Sequence, residues 1–266
     1  SNKLIWHLQD LISSRFGGIL LKLMNYFAKL GPNYIICDGK SIFESLNSYN
    51  QSKATIILNG IKADSFQRTS KDRKSGRKEF NIPKNAYVIG HVGRFTPWKG
   101  QVKLVEAFIE YSKQNSTAIL FLVGAPTFDS DLYLNKIKNK ISKYGLSDKI
   151  ILTGFRSDLN KMYSIMDLFI YPSTEKDTSP LALIGALSSG LPVAVSSIES
   201  LEEIIEIFPE ISLFNPLRKS KIINIFRIFE IEQMRIKVSK SIKSKFENHF
   251  SIKVHIQNMM KAINEA

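Results

Sequence analysis

Residues 91–100 read HVGRFTPWKG, so Gly93 and Gly100 bracket an arginine and a lysine five positions apart. A planar guanidinium at Arg94 and a compact ammonium at Lys99 both suit phosphate oxygens. Gly93 lets the backbone approach a ligand closely. Three further stretches share the form of an apolar run ending in glycine or proline. They are LVGAP at 122–126, with Gly124; LTGFRSDL at 152–159, with Gly154, Phe155 and Arg156; and YPSTEKDTSPL at 171–181, with Glu175, Asp177, Ser179, Pro180 and Leu181. Each alone reads equally as a solvated turn. Together, as four strand ends in one parallel sheet, they would line a single crevice. Positive groups at one point and carboxylates at another suit a ligand that joins a diphosphate to a hydroxyl-rich sugar.

The elements that must hold these loops alternate along the chain. From residue 86, AYVIGHV, STAILFLVG, KIILTG, DLFIYPS, PVAVSS and ISLF read as strands. Between them KGQVKLVEAFIEYSK, DLYLNKIKNKISKYG, SDLNKMYSIM, SPLALIGALSSG and ESLEEIIEIF read as helices. Apolar runs alternating with amphipathic segments predict an α/β fold, a parallel sheet with helices on both faces. Strand order is not legible in this pattern. The head carries its own strands, KLIWH, NYIIC and ATIIL, and the tail from about 217 is helical and basic. The head is short for a complete α/β domain, and more sequence is expected upstream of it. SSRFGGILLKLMNYFAKLG at 13–31 is amphipathic and basic, either a membrane-surface helix or a helix packed on its own sheet. The basic cluster RTSKDRKSGRK at 68–78 contains glycine and no aromatic residue, and reads as a solvated loop.

The succession NGI, VGRFTPWKG, LVGAP, LTGFRSDL, YPS and ALSSGLPVAV resembles the donor-binding domain of the GT-B glycosyltransferases of family 4, the "glycosyltransferase group 1" enzymes. The likeness runs over roughly residues 55–206. In the head, LIWHLQDL resembles an acceptor-domain strand that carries a histidine, and CDGKSIFESL resembles that domain's last helix. SIKVHIQNMMKAI resembles the closing helix that crosses back. The resemblance implies a GT-B fold, with a partial Rossmann-like acceptor-side domain at 1–57, a Rossmann-like donor domain at 58–248 and a crossing helix at 249–266. It implies a retaining, metal-independent transfer from a nucleotide-diphosphate sugar, the sugar nucleotide being substrate and no cofactor being required. Arg94 and Lys99 would hold the diphosphate and neutralise the leaving phosphate. Both lie on a loop, so removing either is expected to leave folding intact. Gly154, Phe155 and Arg156 would frame the base, and the helix beginning near Pro180 would aim its amides at phosphate or sugar. His7 would face the sugar across the cleft, or is an ordinary polar residue at a strand end.

The chain departs from the family at one point. The family carries two glutamates eight positions apart around this helix. Counting back from GALSSGLPV places Asp177, with Glu175 beside it, at the first position and Gly185 at the second, which holds the donor ribose. Gly185→Glu is therefore expected to restore a ribose contact, provided no other side chain fills the space.

Composition narrows the remaining classes. The 266 residues carry a formal net charge of +13, from 37 Lys and Arg against 24 Asp and Glu. Such a charge attracts phosphorylated small molecules, anionic membrane or nucleic acid. The stacking aromatics and basic strand faces of nucleic-acid modules are not present, and nucleic acid is not an expected partner. The expected partners are a nucleotide-sugar donor, a glycan or lipid-linked acceptor of polysaccharide biosynthesis, and peripheral contact with an anionic membrane. The single cysteine, Cys37, cannot form an internal disulfide and fits a cytoplasmic location. His91, His249 and His255 have no metal-ligand spacing with acids or cysteine. The alternative is a binding module that holds a nucleotide sugar without transferring it.

Overall fold

The computed structural model describes residues 3–10, 18–126, 131–175 and 177–265. The start of the amphipathic stretch, residues 13–17, lies outside them. In the head, β1 (Ile5–Leu8), β2 (Tyr34–Cys37) and β3 (Ala54–Ile56) form a parallel sheet in that order. Its register pairs Ile5 with Tyr34 and Ile35 with Ala54. Helix α1 (Ile19–Leu30) crosses from β1 to β2, and α2 (Lys40–Ser45) and α3 (Ser48–Gln51) lie between β2 and β3. Met24 and Ala28 of α1 pack on Ile35, Cys37, Ile42 and Leu46. The opposite face leaves Ile19, Leu20, Leu23, Tyr26, Phe27 and Leu30 exposed. One face of α1 thus packs on its own sheet while the other stays open. Burial pushes the Cys37 thiol up to about 12, with the Asp38 carboxylate adding to it, so this thiol is unreactive at neutral pH.

Helix α4 (Ser70–Glu79) leads into the larger sheet. The elements then alternate as β4 (Tyr87–Val92), α5 (Gln101–Tyr111), β5 (Ala118–Val123), α6 (Asp131–Lys143), β6 (Ile150–Leu152), α7 (Leu159–Ile165), β7 (Leu168–Tyr171), α8 (Leu181–Ser188), β8 (Val193–Ser196), α9 (Glu202–Ile207) and β9 (Ser212–Phe214). All neighbours pair in parallel, in the order β6-β5-β4-β7-β8-β9. Every residue of β4, β5, β7 and β8 is buried. That explains their near-continuous apolar runs, because helices cover both sheet faces. Helices α10 (Lys219–Glu230), α11 (Glu232–Phe250) and α12 (Ile252–Glu265) close the chain. Ala262 and Met259 of α12 pack with Ile36, Ile57, Ile5 and Tyr34, so the last helix returns to the head sheet.

The basic cluster at 68–78 is not a solvated loop. Thr69 caps α4 by accepting the Asp72 N–H at 2.9 Å. Arg73 and Arg77, four residues apart on one face, both donate to the Asp167 carboxylate, at 2.6 and 2.9 Å. Asp167 also accepts the Val88 N–H at 2.8 Å, which ties the starts of β4 and β7 together. Arg77 is buried and donates further to the carbonyls of Lys84, Ala86 and Ile165. Gly76, a loop signal in the sequence, is here a packing residue, since a Cβ would stand 2.7 Å from Ile165 Cδ1. The partner carboxylate lies some ninety positions away, beyond the reach of a local pattern.

Removing a single partner from a buried ion pair leaves the other charge unsatisfied, at a cost of about 3–5 kcal/mol. Asp167→Ala, which strands Arg77, is expected to lower unfolding free energy by about that much. Urea denaturation measures it, and a loss well under 1 kcal/mol would refute the central role given to this carboxylate.

Candidate active site

The sheet reverses its direction of growth between β4 and β7, since β5 and β6 lie on one side and β8 and β9 on the other. Loops diverge at such a switch point, and the gap outside the strand ends is where ligands fit. The loop after β4 brings Gly93, Arg94 and Lys99 to this gap, and the loop after β7 brings Asp177, Thr178, Ser179, Pro180, Leu181 and Ala182. The head supplies the facing wall with Gln9, Asp10, Asp38 and Asn59, leaving an open cleft of about 430 Å³.

Arg94 is exposed at the cleft, whereas Lys99 is buried. Lys99 Nζ donates to the Tyr171 hydroxyl at 2.6 Å and pairs with the Asp177 carboxylate, to which Tyr171 also donates. The Trp98 ring covers the ammonium, its centroid 4.3 Å from Nζ. Burial lowers the Lys99 pKa and raises that of Asp177, while the charge of each opposes the shift of the other. The expectation that Lys99 can be removed without affecting folding is therefore corrected. Lys99 ends the short helical turn Pro97–Lys99 and neutralises a partly buried carboxylate.

Helix α8 opens on the cleft after Pro180, and its first N–H groups lack intrahelical acceptors. Ser179, just before it, has a φ of 41°, a left-handed conformation unfavourable for a residue with a side chain. Asn59 holds it there. Its N–H donates to Ser179 Oγ at 2.8 Å and its amide nitrogen to the Ser179 carbonyl at 3.3 Å. The same amide reaches Asp38 at 3.0 Å, and the other Asp38 oxygen meets His7 Nε2 at 2.5 Å. A chain of polar contacts thus crosses from the head to the loop after β7. The Thr178 hydroxyl donates to the Gln9 carbonyl at 3.2 Å, and the Lys40 N–H donates to Glu203 at 2.9 Å. His7 stands behind Asp38 rather than in the cleft lining.

His91, in the middle of this architecture, is fully buried in β4. Its Nδ1 donates to the Ile170 carbonyl at 3.0 Å, leaving Nε2 to accept from the Gln101 amide at 3.3 Å. Gln101 also donates to the Arg94 carbonyl at 2.7 Å, so a neutral His91 orients the arginine loop from below. Burial lowers the His91 pKa to about 4.

The other expected site residues lie apart from the cleft lining. Gly124 and Gly154 meet at the ends of β5 and β6, with the Gly124 N–H donating to the Gly154 carbonyl at 3.0 Å. Gly124 has a φ of 139°, and a Cβ there would stand 2.0 Å from the Gly93 carbonyl oxygen. Only glycine fits that approach. Phe155 is 78% exposed, and Arg156 pairs with Glu79 and Asp158. Glu175 is exposed outside the lining. Asp38, Asn59 and Tyr171 were missed as site residues. The acid after the apolar run YIIC was a readable signal, but nothing local marks Tyr171. Among the described residues, no three His, Cys, Asp or Glu side chains gather to hold a metal.

Gly185 does not face an empty ribose pocket. A Cβ on it would lie 2.8 Å from the Tyr163 hydroxyl oxygen and 3.1 Å from its ring. Tyr163 is fully buried and donates to the Ala182 carbonyl at 2.9 Å, so it cannot swing aside freely. The expected gain from Gly185→Glu is thereby overturned.

A family model described as "Glycosyl transferases group 1" matches residues 72–209. An Escherichia coli protein named UDP-Gal:alpha-D-GlcNAc-diphosphoundecaprenol alpha-1,3-galactosyltransferase is 27% identical over 187 residues, covering 68% of this chain and 46% of that protein. The lipopolysaccharide 1,2-N-acetylglucosaminetransferase of Salmonella typhimurium is 26% identical, covering 71% of this chain and 51% of its own length. The chain thus spans about half the length of the curated relatives it matches. Among solved structures, Anabaena Alr3699/HepE in complex with UDP and glucose superposes with a TM-score of 0.90 at 21% identity, covering 99% of this chain and 72% of the other. WaaG, described as a glycosyltransferase involved in lipopolysaccharide biosynthesis, superposes with a TM-score of 0.71 at 15% identity, over 92% of this chain and 72% of that one. The fold is that of the GT-B glycosyltransferases.

Two measurements follow from the buried groups. Overpacking costs about 1–3 kcal/mol, so Gly185→Ala should destabilise despite alanine's better helix propensity, and Gly185→Glu should destabilise further by burying a carboxylate. Adding Tyr163→Phe should shrink the Gly185→Ala loss; an unchanged loss in urea denaturation would show that the tyrosine is not the obstacle. His91 also makes stability depend on pH. Its folded pKa of about 4 lies below the ordinary 6.5, so the unfolded chain binds the proton more tightly between these values. The stability His91 contributes is complete above pH 6.5 and is lost as pH falls towards 4, by about 3 kcal/mol. His91→Gln should flatten that part of the pH profile, and an equally steep profile in the variant would assign the slope elsewhere.

Proposed function

The chain belongs to the glycosyl transferases group 1 family, and from that premise we propose that its cleft binds a nucleotide-diphosphate sugar and transfers the sugar to a glycan or lipid-linked acceptor. The observation that carries this reading is the meeting of Arg94, Lys99 and Asp177 at the switch point of the sheet. Arg94 and Lys99 supply positive charge where a diphosphate leaving group develops negative charge. The family 4 assignment, retention of configuration and independence of a metal belong to the same proposal. In support, two cations stand where the leaving phosphate needs compensation.

The pairing of Lys99 with Asp177 suggests how donor binding prepares the site. A diphosphate brings more negative charge than one carboxylate and competes for the Lys99 ammonium. Asp177, still held by Tyr171, is then free to accept a sugar hydroxyl. The N-terminal amides of α8 add a partial positive charge at the same place. With Tyr163 beside Gly185, the ribose is held by groups other than a carboxylate at that position. The acceptor approaches from the head side, where Gln9, Asp10 and Asp38 form the wall.

The names of the relatives, which include a diphosphoundecaprenol-dependent galactosyltransferase, support a lipid-linked or lipopolysaccharide acceptor. Peripheral contact with an anionic membrane on the cytoplasmic side is part of the proposal. The open face of α1 supports it, because exposed Leu20, Leu23, Phe27 and Leu30 stand beside Lys22 and Lys29. Among the described residues, no helix is long and apolar enough to cross a membrane.

A thermal-shift panel of UDP-, GDP- and ADP-sugars should show stabilisation by one nucleotide class, since a ligand that binds only the folded state raises the melting temperature by mass action. Arg94→Ala should then weaken calorimetric affinity for that nucleotide about 10- to 100-fold, the worth of a charge-assisted hydrogen bond, with melting unchanged. Lys99→Ala should weaken affinity and also lower the melting temperature. Unchanged affinity in both variants would sink the phosphate assignment, and donor binding without sugar transfer by the full-length protein would favour a binding module.

A further inference from the structure

We infer that the molecule has a second anion site, a cavity at the opposite end of the large sheet that takes a phosphoryl group between Arg68, Arg73 and Arg235. The donor cleft lies at the carboxyl ends of the strands. This cavity lies at their amino ends, where Asp167 immediately precedes β7 and Pro192 immediately precedes β8. It measures about 290 Å³ and is lined by Arg68, Arg73, Asp167, Pro192, Glu232, Arg235, Ile236 and Ser239.

The charges there do not balance. Three guanidiniums line the cavity and a fourth, Arg77, stands buried behind it on the same Asp167 carboxylate. Asp167 is already engaged by Arg73, Arg77 and the Val88 N–H. Arg68 makes a 2.9 Å hydrogen bond to the Met166 carbonyl, and its Nε is buried without an acceptor among the described residues. Arg235 donates to the carbonyls of Phe229 and Glu230, at 2.6 and 2.7 Å, and to no carboxylate among the described residues. Glu232 is the only other acid among the described residues of the lining. Burial, and then the neighbouring Arg73, Arg77 and Arg235 charges, hold the Arg68 pKa down at about 10, although Asp167 opposes the shift.

Guanidiniums gathered with their donors only partly used are suited to an anion with several acceptor oxygens, and the planar fork matches phosphate. A phosphoryl group would relieve the mutual repulsion of the arginines and stabilise the fold by binding only the native state. The cavity size favours a compact anion such as phosphate or pyrophosphate, and a phospholipid headgroup presents the same chemistry. The site is independent of the donor reading, since none of its residues lines the donor cleft.

The test titrates inorganic pyrophosphate by calorimetry, at constant ionic strength, into Arg94→Ala, whose donor cleft is weakened while its fold is kept, and into Arg94→Ala combined with Arg235→Gln or Arg235→Lys. Binding should persist in Arg94→Ala, weaken at least tenfold on adding Arg235→Gln and recover partly with Arg235→Lys. In a second arm, vesicles of phosphatidic acid in phosphatidylcholine are compared with phosphatidylcholine alone. Flotation that needs phosphatidic acid and is lost in Arg235→Gln identifies the headgroup as the source and supports the site. If circular dichroism shows Arg235→Gln unfolded, Ser239→Glu, which adds a carboxylate to the lining, should give the same loss. The inference is overturned if the parent binds neither probe, if adding Arg235→Gln to Arg94→Ala leaves binding unchanged, or if Arg94→Ala alone abolishes pyrophosphate binding that Arg235→Gln alone retains.

Discussion

Parallel pairing in the six-stranded sheet is the constraint on which the other features depend. Each strand must return to the starting edge before the next begins, and the return runs through a helix on a sheet face. All six strands therefore end along one edge and begin along the other. The glycine- and proline-marked loops share one edge for that reason alone. At the opposite edge the same rule gathers strand starts, where the backbone needs local partners, and Asp167 with its arginines occupies that position.

The cleft edge is shaped by where the strand order reverses. β4 and β7 are sequence-distant neighbours, so their following loops diverge and leave a gap. Cationic Arg94 and Lys99 come from one side of it and the Asp177 loop from the other. The loops after β5 and β6 belong to strands further out, which explains why Gly124 and Gly154 serve chain packing while Phe155 and Arg156 stand away from the lining. The contacts Asn59–Ser179, Asn59–Asp38 and Lys40–Glu203 then fix the head against this edge.

The two edges handle charge differently. At the cleft, Lys99 and Asp177 are mutually satisfied, so a ligand must compete with an existing contact. At the far edge, one carboxylate serves several arginines and positive charge remains in excess. A buried charge without a full set of partners is costly. Such a cost is borne by the cooperative burial of the strands between the edges, where Val88, Ile89, Leu120 and Phe169 are inaccessible to solvent.

Much of this was legible in the chain itself. Continuous apolar runs alternating with amphipathic segments determined a parallel α/β fold, because strands buried on both faces need apolar residues throughout. The loop motifs marked Arg94, Lys99 and Asp177, whose chemistry is local to their side chains. Strand order was not legible, since it depends on which long-range pairings form. The helix at Ser70–Glu79 was hidden because its stabilising carboxylate, Asp167, is distant in sequence and its Gly76 imitates a turn. The surroundings of Gly185 were not legible, because only packing brings the Tyr163 ring against it. Sequence determines which groups a segment carries and its period. Tertiary structure alone decides which distant groups meet, and with that which charges are satisfied and which spaces are already filled.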